Sequence, residues 1–210
     1  FGLEHLATIV ALIQPSRHDI QLHLHPEWTD EIRPLVFPGA YRKRQHLSHY
    51  TFAEQCTLLT LGRTLLADAG ANTPTAFRAG SFAANADTYR ALNTCGIRTD
   101  SSLNGVHPDS GIDLRGKIDF FHPVEIDNTR VLPMTVFRDG TGRLRPAQVG
   151  ACSFPEMRTA LESAAANGVE HFVVLSHNFE MLKPDRSVPD AIVVRRFQHL
   201  CAYLAENRDR

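Results

Sequence analysis

Residues 20–25 alternate strictly, with Ile20, Leu22 and Leu24 between Gln21, His23 and His25. A period of two predicts a strand with its aliphatic side chains on one face and two imidazoles side by side on the other. Pro26 has no N–H to continue a ladder, so the histidine pair falls at the C-terminal end of that strand. Helical spacing appears upstream at Leu3, Leu6, Ile9, Val10 and Ile13, and predicts a helix over 2–14 that stops at Pro15-Ser16. Thr51-Phe52-Ala53-Glu54 reads as a capping box opening a helix through Leu58, Leu59, Leu61, Leu65 and Leu66 to a terminal Gly70. Asn85 can cap a helix carrying Tyr89 and Leu92 and stopping at Gly96. Ser153-Phe154-Pro155-Glu156 is a second capping box, followed by Met157, Leu161 and Ala164 and ended by Gly168. A last helix is predicted over 190–207.

Short strands are predicted over 75–80 and 97–102, and at 124–126 and 131–137 around a turn at Asp127-Asn128. Residues 171–175 form a nearly continuous apolar run, as expected of a strand buried on both faces. Residues 27–50 read as a long irregular connection of the kind that often covers a site. His46 and His49 lie in it, with a spacing that suits a metal only if helical. Strands alternating with helices imply a parallel sheet in an α/β fold with right-handed crossovers. Polar residues recur where the strands end: His23 and His25, Arg78, Asp100 and His177. Strand ends of a barrel converge on one face, and this recurrence is the sequence-level argument for one site.

Composition changes little. The 210 residues are 43% hydrophobic and 21% charged with a formal net charge of −1, a range suited to one globular domain over 1–210. No basic field marks a nucleic-acid partner, and Arg42-Lys43-Arg44 reads as a solvated face. No apolar run is long enough for a transmembrane segment. Cys56, Cys95, Cys152 and Cys201 are far apart, form no C-x-x-C pair and read as reduced, buried small hydrophobes.

In order along the chain, His18-Asp19-Ile20-Gln21-Leu22-His23, Phe77-Arg78-Ala79-Gly80, Thr99-Asp100-Ser101-Ser102 and Leu175-Ser176-His177 resemble the sequence blocks of the polysaccharide deacetylases. These are the NodB-like carbohydrate esterase family 4, and the His-Leu-His-Pro run is similar to its divergent bacterial members. The resemblance implies a distorted (β/α)7 barrel and metal-assisted removal of N-acetyl groups from a carbohydrate substrate. It implies that His23 and a second histidine bind Zn²⁺ or another divalent transition metal, and that a carboxylate base takes the proton of the water. By the same resemblance His177 is the acid that protonates the leaving amine, Arg78 orients the base, Asp100 holds His177, and Leu175 lines the acetyl-methyl pocket.

Three departures from the family pattern follow. Its Asp-Asp motif, source of the base and the third metal ligand, does not occur here, which implies a fragment lacking the first strand or two that binds metal weakly and does not catalyse. Glu27 stands where the second metal histidine is usual, so His25 is the expected ligand, with Glu27 as an oxygen ligand. The family's tryptophan after the Asp-Ser block is absent, and Trp28 is the candidate sugar platform, with a core or rim role as its alternative. Rival readings are a catalytically inactive glycan-binding domain and another metal-dependent barrel of the amidohydrolase or phosphoesterase type. The oligomeric state and the compartment are left open.

Overall fold

Helix boundaries follow the capping chemistry. A computed structural model describes residues 2–16, 18–39, 43–107, 112–114 and 118–208. Arg42 of the basic run and residues 108–111 and 115–117 lie outside the described residues. The helices are α1 (Leu3–Ile13), α2 (Phe52–Asp68), α3 (Ala86–Thr94), α4 (Phe154–Ala166) and α5 (Ala191–Glu206). Thr51, Asn85 and Ser153 each close a reciprocal capping box, and Asp190 accepts from the backbone N–H groups of Ile192 and Val193. At the other ends, Gly70, Gly96 and Gly168 take left-handed φ of 92°, 73° and 67°. After α2 the N–H of Ala71 reaches Leu66 O and that of Gly70 reaches Ala67 O, both at 2.9 Å, which satisfies carbonyls the helix leaves open.

The chain divides into two compact units, residues 1–133 and 134–210. The first holds a five-stranded sheet made of β1 (Leu22–Leu24), β2 (Ala76–Ala79), β3 (Thr99–Asp100), β4 (Val124–Ile126) and β5 (Thr129–Val131). Its order is β1-β2-β3-β5-β4, with every pairing parallel except the β4–β5 hairpin. This is a mixed α/β arrangement with a parallel-rich sheet. Leu22 pairs with Phe77, Phe77 with Asp100, and Asp100 with Val131, so these four side chains form one row on one face of the sheet. All four are buried. The core beside them takes in Leu58 and Leu59 of α2 and Tyr89, Ala91 and Leu92 of α3. Gly62 lets α2 approach the sheet closely, since a Cβ there would lie 2.8 Å from Leu22 Cδ1.

The second unit holds a hairpin of β6 (Val136–Arg138) and β7 (Leu144–Pro146), followed by α4 and α5. Ala147, Val149, Cys152, Met157 and Leu200 form its core.

Several expectations need correction. Residues 131–137 are not one strand: β5 ends at Val131 and β6 begins at Val136, with Pro133, which cannot donate to a ladder, between them. The β4–β5 turn is tight because Asp127 and Asn128 both adopt positive φ, 47° and 58°. The apolar run 171–175 is extended but forms no continuous ladder. Val173 bonds to Thr135, partly through the Thr135 hydroxyl, and Leu175 bridges Ala147 and Val149. Its neighbours present only a residue or two of backbone each, so the pairing stays isolated. Of the cysteines, Cys152 is buried and Cys56 and Cys95 are half-buried, whereas Cys201 is exposed on α5.

Candidate metal and acid–base sites

In the first unit the histidine pair sits where β1 ends. β1 runs beside β2 with His23 in register with Arg78 and Leu24 with Ala79. His23 Nδ1 lies 2.7 Å from the carbonyl oxygen of Arg78. A carbonyl only accepts, so the bond puts the proton on Nδ1 and the lone pair on Nε2. His25 Nδ1 lies 2.9 Å from Glu27 Oε1, and an ionised carboxylate imposes the same tautomer. The two rings are 4.7 Å apart at 88°. An imidazole whose Nδ1–H is held by a carbonyl or a carboxylate is the usual arrangement of a metal-binding histidine.

The backbone around the pair is closely fitted. A Cβ on Gly80 would stand 2.8 Å from both His25 Nδ1 and Leu24 O, so only glycine lets β2 pass this close. Beyond it, Ser81 and Phe82 adopt left-handed φ of 52° and 55°, a costly conformation for two successive non-glycine residues. Phe82 is buried, and its ring lies 5.8 Å from the Arg78 guanidinium and 5.7 Å from the His107 ring. On the other side, Tyr50 pins the turn after His25, with its hydroxyl 2.6 Å from Thr29 Oγ1 and donating to Pro26 O at 3.1 Å. Arg44 pairs with Glu54 and stacks 3.8 Å over Tyr50. Part of the basic run is therefore an anchor for the long connection. Trp28 is 57% exposed, and Lys43 Nζ lies 4.5 Å over its ring.

Two imidazoles suit zinc and similar ions, but among the described residues no three His, Cys, Asp or Glu side chains converge on one point. Two imidazoles alone would be only part of a ligand set. Glu27, considered from sequence as an oxygen ligand, is engaged with His25 Nδ1 as an orienting carboxylate. His46 precedes and His49 ends a 3-10 turn over Leu47–His49, with rings 4.9 Å apart, and burial together with His49 holds the His46 pKa down.

Arg78 and Asp100 lie on opposite faces. Arg78 shares the His23 side of the sheet, where burial pulls its pKa down from the ordinary value and the Asp100 charge opposes that shift. Asp100 belongs to the buried row and faces α3. Its Oδ2 accepts from Tyr89 OH at 3.1 Å and from Ser102 N at 2.9 Å, while Oδ1 accepts from Ser102 Oγ at 2.6 Å. Ser102 Oγ also accepts from Ala79 N at 2.9 Å, linking the β3 end to the β2 end. Loss of water dominates, and pushes the Asp100 carboxyl up to about 6 against the opposing bonds from Ser102 and Tyr89.

In the second unit Leu175 is buried and bonded on both sides by backbone. His177 follows, its ring stacked 4.9 Å from Phe179. Its Nδ1 lies 2.9 Å from Glu180 Oε1, which also accepts from Gln148 Nε2 at 2.7 Å. Sequence reasoning missed Glu180. The signal was present in the His177-x-x-Glu180 spacing, one helical turn apart.

In comparisons with known proteins, no family model, no curated protein and no solved structure matches this chain.

Proposed function

We propose that this chain belongs to a metal-dependent hydrolase that removes N-acetyl groups from an N-acetylated sugar or polysaccharide, on a barrel of the NodB type. The observation that carries the reading is the paired imidazole at the end of β1, with each Nδ1 anchored by an acceptor. His23 and His25 would hold the ion, and Glu27 keeps the His25 ring in place. A zinc-like ion held there would supply Lewis acidity and lower the pKa of a water. Arg78 brings a positive charge to the same side of the sheet. His177 is the acid: its Nε2 proton passes to the amine nitrogen as the C–N bond breaks and that nitrogen keeps the bonding pair. Leu175 contributes the apolar wall for the acetyl methyl, and Trp28 a platform for a sugar ring. Asp100 acts from the buried face, through Ser102, on the position of the β2 end.

The test is acetate release from N-acetylglucosamine oligomers by the full-length gene product loaded with Zn²⁺. Release that is lost in His23→Ala and His25→Ala supports the reading. Tight oligomer binding without release overturns it in favour of a glycan-binding domain.

A further inference from the structure

We propose that Glu180 is the positioning residue for His177, and that position 150 is glycine because the Glu180 carboxylate occupies the space a side chain would need. The catalytic part of this inference rests on the function proposed above; the geometry does not.

A His–Glu pair one turn apart is often only a surface ion pair. Four observations set this one apart. The two side chains are only 26% and 14% exposed. Glu180 Oε1 is held from two sides, by His177 Nδ1 at 2.9 Å and Gln148 Nε2 at 2.7 Å. Glu180 Oε2 is buried and has no hydrogen-bond partner among the described residues, an arrangement that costs stability. A Cβ on Gly150 would stand 2.8 Å from the same Oε2, so the niche is shaped around the carboxylate.

The consequence is chemical. Gln148 donates to Oε1 and the carboxylate only accepts, so the proton between Glu180 and His177 belongs to Nδ1. Stacking on Phe179, with 22° between the rings, limits rotation about the last side-chain bond. Nε2 is then the nitrogen that exchanges protons with substrate. In the cleavage step the doubly protonated ring gives up its Nε2 proton to the departing amine nitrogen and keeps Nδ1–H on Glu180. The neutral ring that results is already in the tautomer that can take a proton back at Nε2. Carboxylates orient catalytic histidines in this way in hydrolytic triads.

The experiment reads the ring nitrogens of His177 by ¹⁵N NMR in histidine-labelled protein at about pH 9, above the ordinary imidazole range. The expected wild-type spectrum has the proton on Nδ1. Glu180→Ala should move it largely to Nε2, Glu180→Gln should keep it on Nδ1 because the amide oxygen can still accept, and Gly150→Ala should weaken it by displacing the carboxylate. A wild-type ring protonated at Nε2 overturns the proposal without any variant, and so does an unchanged tautomer in a folded Glu180→Ala. The spectra are taken without metal or substrate, so they stand or fall apart from acetate release. With the hydrolase reading in hand, Glu180→Ala should lower kcat and leave KM nearly unchanged, with activity restored in part by Glu180→Gln.

Discussion

His23 Nδ1 meets the carbonyl oxygen of Arg78, the residue it pairs with in register across β1 and β2. The orientation of one candidate ligand is thus set by the backbone of the neighbouring strand, in the same block whose Gly80 backs His25. Gly80→Ala should weaken Zn²⁺ binding about tenfold or more and lower stability by about 1–3 kcal/mol, because the added methyl meets the Leu24 backbone as well as a ring. Calorimetric titration and urea unfolding of the same sample check both effects.

Asp100 predicts an unusual dependence of stability on pH. Its carboxyl is raised from an ordinary 3.8 to about 6 by burial. Between those values the folded protein binds more protons than the unfolded chain, so this group's contribution is fully present below about 4 and is lost as pH rises through 6. The full loss is roughly 3 kcal/mol. Urea unfolding from pH 4 to 7 should show this decline, and Asp100→Asn should flatten it. Equal slopes in the two proteins would contradict the assignment.

Tyr89→Phe removes the hydroxyl that donates to Asp100 and little else, since the ring is fully buried in the α3–sheet core. A bond to a charged acceptor is worth about 1.5–3 kcal/mol, and the acceptor is charged only above its pKa. The substitution should therefore cost more at pH 7.5 than at pH 4.5, as read by denaturant midpoints at the two pH values.

Gln55 ties the starts of two helices together. It is fully buried, donates to Tyr50 O at 2.9 Å and to Asn85 Oδ1 at 3.2 Å, and accepts from Thr88 Oγ1 at 2.7 Å. Gln55→Leu keeps the bulk but orphans those groups, and should destabilise by about 1–3 kcal/mol in urea unfolding.

Local chemistry made much of this fold legible. Caps at Thr51, Asn85 and Ser153, and glycines at 70, 96 and 168, mark helix ends through bonds made within a few residues. The two-residue period at 20–25 placed both imidazoles on one face for the same reason. What stayed hidden depends on distant neighbours. The run at 171–175 looks like a strand, yet the backbone around Thr135 and Ala147 offers it too little ladder. Gln55 reads as an ordinary helix position until Tyr50 and Thr88 surround it. Asp100 sits at a strand end like Arg78, but the register with Phe77 and Val131 turns it to the opposite face. Gly80 and Gly150 stand close against His25 and Glu180, contacts that no local pattern encodes.

The most direct test of the account is a calorimetric titration of Zn²⁺ into the metal-free chain, with His23→Ala, His25→Ala and His46→Ala beside it. One saturable site is expected in the wild type, weakened about tenfold or more in the first two variants and unchanged in the third. Binding that survives both His23→Ala and His25→Ala, or no binding in the wild type, would contradict it.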